Sequence, residues 1–171
     1  MSAKILILSG ASGVGKSTLA RHLLSQARTS WVHLEADRSA PEIVNPPGAA
    51  AFDQSDYLDA LLNSLLVWPH SGYNSIIDGI LPYPEDDLFR RCAATLRAHN
   101  ARFVNVYAPP ETVKHRIEKR GWGDPGWSLR QLEDINTTEP PDYSVDTSTA
   151  LDANTGVKSL LAWMNERSPD A

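Results

Sequence analysis

The chain has 171 residues, 42% of them hydrophobic and 22% charged, with a formal net charge of −5 at pH 7. This is the size and balance of one globular domain, and it excludes a chain built to stay disordered. The acidic balance disfavours a protein that wraps nucleic acid or coats an anionic membrane, and one cysteine leaves no intramolecular disulfide and no cysteine-based zinc site.

The opening MSAKILILSG carries an apolar run too short for a signal peptide. No run nears the ~18 apolar residues of a membrane helix. The expectation is a cytoplasmic protein. No repeat, low-complexity tract or linker-like shift divides the sequence, so residues 1–171 are expected to form one domain.

Ile5 to Leu8 is continuously apolar and reads as a strand buried on both faces, as in a parallel sheet. From Lys16 to about Ala27, Leu19, Leu23, Leu24 and Ala27 share a helical face. Trp31 to Ala36 is a second strand, and 38–53 reads as loop. Leu58, Leu61, Leu62, Leu65 and Leu66 give an amphipathic helix expected to stop before Pro69. Tyr73 to Ile77 is a third strand, closed by Asp78-Gly79. A helix follows from about Pro84, with Leu88, Cys92 and Leu96 stacked. Arg102 to Tyr107 is a fourth strand. Pro109-Pro110-Glu111 opens a helix reaching about Arg120. Gly121, Gly123, Pro125 and Gly126 predict a loop. Tyr143 to Val145 is a short fifth strand. Val157, Leu160, Leu161 and Met164 mark a final helix, with Thr155 or Asp152 as its cap. Alternating strands and helices imply βαβ units, an α/β fold with a parallel sheet.

Residues 10–17, Gly-Ala-Ser-Gly-Val-Gly-Lys-Ser, match G-x-x-x-x-G-K-[ST] between a buried strand and an amphipathic helix. Glycines let backbone N–H groups curl around phosphate oxygens, and the helix aims its positive dipole end at the same place. Lys16 brings a point charge to the β- and γ-phosphates, and the Ser17 hydroxyl can ligate Mg²⁺. Thr18 either joins the phosphate contacts or faces the helix surface. The nucleotide-binding set is therefore Gly10, Ala11, Ser12, Gly13, Val14, Gly15, Lys16, Ser17 and Thr18. A guanine-reading N-K-x-D run is absent, and the chain is short for a mechanical ATPase.

GASGVGKST, Asp37 after the second strand, IIDG at the end of the third, and VYAPPETVKHRIEKR together resemble the P-loop kinases of small molecules. That group includes chloramphenicol phosphotransferase, gluconate kinase, adenylylsulfate kinase and zeta-toxin-like kinases. The resemblance implies a five-stranded sheet in order 2-3-1-4-5, ATP and Mg²⁺ as co-substrates, a small-molecule acceptor and a mobile lid. The sequence departs from the gluconate kinase and shikimate kinase patterns, and it lacks the arginine-rich GMP segment of guanylate kinase.

Asp37 lies 21 residues past Lys16, at the carboxyl end of the second strand, where doubly wound sheets gather ligands. It can orient an acceptor hydroxyl and take its proton, the role that similar kinases give an Asp in this place. Glu35, on the same strand face, is the rival base, and a plain turn residue is the third reading of Asp37. Asp78 ends an apolar strand, as a carboxylate that reaches Mg²⁺ through water, a residue facing the acceptor, or a strand-terminal turn. Arg116 and Arg120 are neighbours on one helix face, with Lys119 beside them. They are either a solvated face or arginines that a lid, residues 114–130, brings to the transferring phosphoryl group. Arg130 is a weaker candidate.

Cys92 falls on a core stripe. His70 and His115 read as surface residues. Trp68, Trp122 and Trp127, with Tyr57 and Phe52, are candidates for an acceptor pocket, and Thr147 and Ser148 for the border of the adenine. The reading is an ATP-dependent small-molecule kinase. Its rivals are a nucleoside monophosphate kinase, for which Arg38 is the only basic residue between His33 and Arg90, and a regulatory ATPase without an acceptor.

Overall fold

The computed structural model describes residues 3–35, 38, 41–44, 46–50, 53–79, 87–134 and 140–165, without the side chains of 134, 151–153 and 165. The elements in chain order are β1 (Ile5–Ser9), α1 (Lys16–Gln26), β2 (Trp31–Glu35), α2 (Gln54–His70), β3 (Asn74–Asp78), α3 (Asp87–Ala98), β4 (Ala101–Tyr107), α4 (Pro110–Arg120), α5 (Pro125–Asp134), β5 (Tyr143–Asp146) and α6 (Ala150–Asn165).

β1 is apolar from Ile5 to Leu8 because it is buried there on both faces. Leu6 and Leu8 point to one side, with Val104 and Val106 of β4, and meet Leu19 and Leu23 of α1, Val113 and Ile117 of α4, and Leu160 of α6. Ile5 and Ile7 point to the other, with Ile77 and Phe103, against the leucines of α2 and Cys92 and Leu96 of α3. Each such side chain contributes roughly 1.5–3 kcal/mol by leaving water. The sheet is fully parallel in order β2-β3-β1-β4-β5. β1 therefore sits at the centre, and the loop after it opens at the point where the chain's connections turn to opposite sides, where such sheets bind ligands.

Three local expectations are corrected. α2 runs through Pro69 to His70, because a proline deletes one helical donor and Ser71 N–H resumes the ladder on the Val67 and Trp68 carbonyls. Residues 125–134 form α5 rather than loop. Asp124 accepts from Gly126 N–H through Oδ1 at 2.8 Å, and Pro125 is the first helical residue, a strong start outweighing the glycines. α6 begins at Ala150, so Asp152 and Thr155 lie inside it rather than at its start. The start expected for α3 near Pro84 falls outside the described residues.

Candidate functional site

The phosphate-loop motif leaves β1 at Ser9. Gly10, Gly13 and Gly15 all have positive φ, at 144°, 88° and 104°. A Cβ on Gly10 would collide with the Val106 carbonyl oxygen, and one on Gly13 would lie 3.0 Å from Ile117 Cγ1. Glycine is thus required by close approach as well as by backbone conformation. Gly15 caps α1, and its carbonyl accepts from Leu19 N–H at 2.9 Å. Lys16, the first helical residue, donates to the Gly10 and Ala11 carbonyls at 3.0 and 3.2 Å.

Ser17, one residue on, donates from Oγ to Asp78 Oδ2 at 2.5 Å. Asp78 ends β3 and is 5% exposed. Glu35 stands opposite it in register on β2. Glu35 pairs with Arg38 Nε at 3.1 Å and Arg21 Nη1 at 3.7 Å. The buried Nε2 of His33 lies 3.9 Å from Asp78 Oδ2 and has no hydrogen-bond partner among the described residues.

The two arginines of α4 have different surroundings. Arg116 donates from Nη1 to the Val14 carbonyl at 3.0 Å and to Thr147 Oγ1 at 3.3 Å, and from Nη2 to the Thr147 carbonyl. Burial lowers its guanidinium from the usual arginine value, and the Asp146 carboxylate opposes that by favouring the cation. Arg120 donates from Nη2 to Ser12 Oγ at 3.1 Å and from Nε to the Trp122 carbonyl at 2.8 Å, with its guanidinium 3.8 Å from the centre of the Trp122 ring. Gly123 leaves the space Arg120 uses, since a Cβ there would strike Nη2. From α5, Gln131 Oε1 accepts from Ser12 N–H at 3.0 Å.

A cavity of about 790 Å³ joins these groups. It is lined by the phosphate loop with Lys16, Ser17 and Thr18, by Asp78 and Glu35, by Arg21 and Arg38, and by Arg116, Arg120 and Trp122, with Thr147 and Thr149 at one side. The candidates Lys16, Ser17, Asp78, Arg116 and Arg120 are therefore brought together. Asp37 and Phe52 lie outside the described residues. Other candidates stand elsewhere. Trp68 packs edge-on against Tyr73, 6.1 Å between centroids, where α2 ends and β3 is about to begin, at the end of the sheet remote from the phosphate loop. Arg130 faces the Trp127 ring at 5.7 Å instead of lining the cavity, and Tyr57 Oη donates to the Pro41 carbonyl at 3.0 Å. Cys92 is buried, and desolvation raises its thiol pKa. His70 and His115 are exposed.

Sequence reasoning missed Arg21 and Gln131. Arg21 is one turn past Ser17 on α1, so its spacing was a usable signal. Gln131 became visible only once α5 existed, and the Asp124-Pro125 start was its signal.

The Ser17–Asp78 pair fits a hard divalent cation such as Mg²⁺, because it joins a hydroxyl and a carboxylate beside the phosphate loop. The inward-turned loop with a helix N-terminus behind it fits a nucleotide's phosphates.

The model of the chloramphenicol phosphotransferase-like protein family matches residues 3–159. No curated protein matches the sequence. Among solved structures, the tunicamycin resistance protein of Deinococcus radiodurans is 16% identical, with a TM-score of 0.66, over 96% of this chain and 97% of that one. The APS kinase of Mycobacterium tuberculosis, in complex with AMPPNP and APS, is 16% identical, with a TM-score of 0.66, over 96% of this chain and 99% of that one. A sugar kinase from a Janibacter species is 19% identical, with a TM-score of 0.64, over 95% of each chain. At these identities the likeness is one of fold.

Proposed function

The chain belongs to the chloramphenicol phosphotransferase-like family, and from that premise we propose that it transfers the γ-phosphoryl group of ATP to a hydroxyl of a small molecule. The observation that carries this reading is the shared cavity. It places a phosphate loop beside two α4 arginines and continues to a second, carboxylate-lined end with room for an acceptor.

Lys16 and the loop N–H groups would hold the β- and γ-phosphates, and Ser17 and Asp78 would hold Mg²⁺. Mg²⁺ would neutralise charge on the phosphate oxygens. Arg120, whose contacts are with Ser12 and Trp122, is the arginine able to turn to the transferring group at little cost. Arg116 is tied to Val14 and Thr147, and its role is to hold the side of the cavity proposed for the nucleotide base. Residues 114–130 act as the lid.

Asp37 is the proposed base. The nearby carboxylates are otherwise engaged, Glu35 by Arg38 and Arg21 and Asp78 by Ser17. Asp37 orients the acceptor hydroxyl and takes its proton as the phosphoryl group arrives.

Proteins of like fold, which include the tunicamycin resistance protein, the sugar kinase and the APS kinase, suggest acceptors to try. Hydroxylated antibiotics, sugars and nucleotides are the compounds to test. A second reading, a nucleoside monophosphate kinase, gains from Arg21. With Arg38 it puts two guanidinium groups at the acceptor end, although Glu35 offsets one of them. A coupled ADP-release screen over antibiotics, sugars, nucleosides and nucleoside monophosphates tests both. Acceptor-dependent ADP release supports kinase action, and the responding compound selects between the readings. Release that ignores every acceptor counts against both.

A further inference from the structure

Ser12 is held twice by the arm formed from α4 and α5. Its hydroxyl accepts from Arg120 Nη2 at 3.1 Å, and its backbone N–H donates to Gln131 Oε1 at 3.0 Å. Arg120 ends α4 and Gln131 lies within α5, both more than 100 positions along the chain from Ser12. A backbone N–H only donates, so the Gln131 amide must present its oxygen to the loop. Ser12 lines the cavity and belongs to the loop whose N–H groups would face phosphate. A phosphate oxygen and Gln131 Oε1 therefore compete for one donor.

Resting on the nucleotide-binding reading above, we propose that Gln131 is a phosphate-reading residue of the arm, specific for the terminal phosphate of a nucleoside triphosphate. An amide can take either side of that competition. Its oxygen accepts from Ser12 N–H, and a half-turn of the same amide presents its NH₂ as a donor to a phosphate oxygen that has claimed the Ser12 N–H. The arm thus keeps a favourable contact in both arrangements, with the loop in one and with the bound phosphate in the other. Charged or apolar side chains of similar length cannot do this. A glutamate accepts from Ser12 N–H as well as glutamine does but repels a phosphate oxygen, and a methionine does neither. A purely structural tie between α5 and the loop would instead rank glutamate near glutamine and methionine below both.

The test is calorimetric binding of the imido analogue of ATP and of ADP, each with Mg²⁺, to wild type, Gln131→Met and Gln131→Glu. The expected loss for Gln131→Met is about tenfold for the triphosphate analogue, the size of a lost hydrogen bond to a charged group, with a smaller loss for ADP. Gln131→Glu is expected to lose at least about tenfold more on the triphosphate analogue, from like-charge repulsion across a short distance. Gln131→Glu binding that analogue as well as Gln131→Met, or better, overturns the proposal while leaving the nucleotide reading in place. Wild type that binds neither nucleotide overturns both. A second measurement needs no stable variant of altered charge: the Gln131 side-chain NH₂ resonance of wild type should shift with the triphosphate analogue and less with ADP. An unmoved resonance, with nucleotide bound, also overturns it.

Discussion

The two ends of the cavity are built by different means. At the phosphate end a backbone loop supplies much of the surface, and the side chains beside it are tied to that backbone. Three glycines turn the loop, Lys16 is held by two loop carbonyls, and Arg116 ties Val14 to Thr147. At the other end the surface is side chains from separate elements, Arg21 of α1, Glu35 of β2 and Arg38 beyond it, with the two arginine side chains 61% and 79% exposed. Backbone cradles fix one ligand chemistry and tolerate few residue types. Long exposed side chains can be exchanged to suit another ligand without disturbing the fold. On the proposed reading, the common reactant takes the first end and the variable acceptor the second.

The largest expected effect belongs to the proposed base. Asp37→Asn should lower kcat by roughly 10²–10⁴, the yield of a positioned general base, with ATP affinity unchanged. Single-turnover transfer measures it. If Asp37→Asn and Asp37→Ala both stay within about threefold of wild type, well short of that yield, the base lies elsewhere.

Lys16→Ala should lower transfer by roughly 10²–10³, as for removal of one preorganised stabilising group. Its melting temperature should stay near the wild-type value, because Lys16 is only half-buried and lines the cavity rather than the core. Turnover and thermal unfolding measured together test this. Near-normal turnover breaks the assignment of the phosphate end.

Gly10→Ala separates backbone-built from side-chain-built surface by stability alone. With φ at 144° and the Val106 carbonyl in the way, it should destabilise by about 2–4 kcal/mol. Gly48→Ala, also at positive φ but with nothing near its Cβ, should cost only about 1 kcal/mol. Urea unfolding reads both, and equal losses would mean that close approach contributes nothing.

The smallest effect sharpens the division most. Arg21→Ala and Arg38→Ala should each raise the acceptor KM by about tenfold or less, as for a charge-assisted contact, and leave the KM for ATP unchanged. Raised ATP KM values with an unmoved acceptor KM would reverse the roles of the two ends.

The same division explains what could be read from the sequence. GASGVGKST was legible because close approach and positive φ demand glycine, and the buried ILIL run was legible because both sheet faces are covered. The β2-β3-β1-β4-β5 order followed from the resemblance these motifs carry. The loop read from Gly121 holds to Asp124, but the glycines hid the helix that starts at Pro125, and Gln131 was hidden with it. Trp68 read as a pocket residue because composition says nothing about which end of a sheet a side chain reaches. Arg21 sat on a predicted helix, but only the register between β2 and β3 brings Glu35 beside it and opposite Asp78.

The most direct test of phosphoryl transfer to a small-molecule hydroxyl is phosphorus NMR of the protein with Mg²⁺, ATP and the acceptor selected by the screen. The expected result is ADP and a phosphate monoester appearing together in equal amounts, with both formed far more slowly by Lys16→Ala. Inorganic phosphate as the only partner of ADP, at a rate the acceptor does not change, would contradict it.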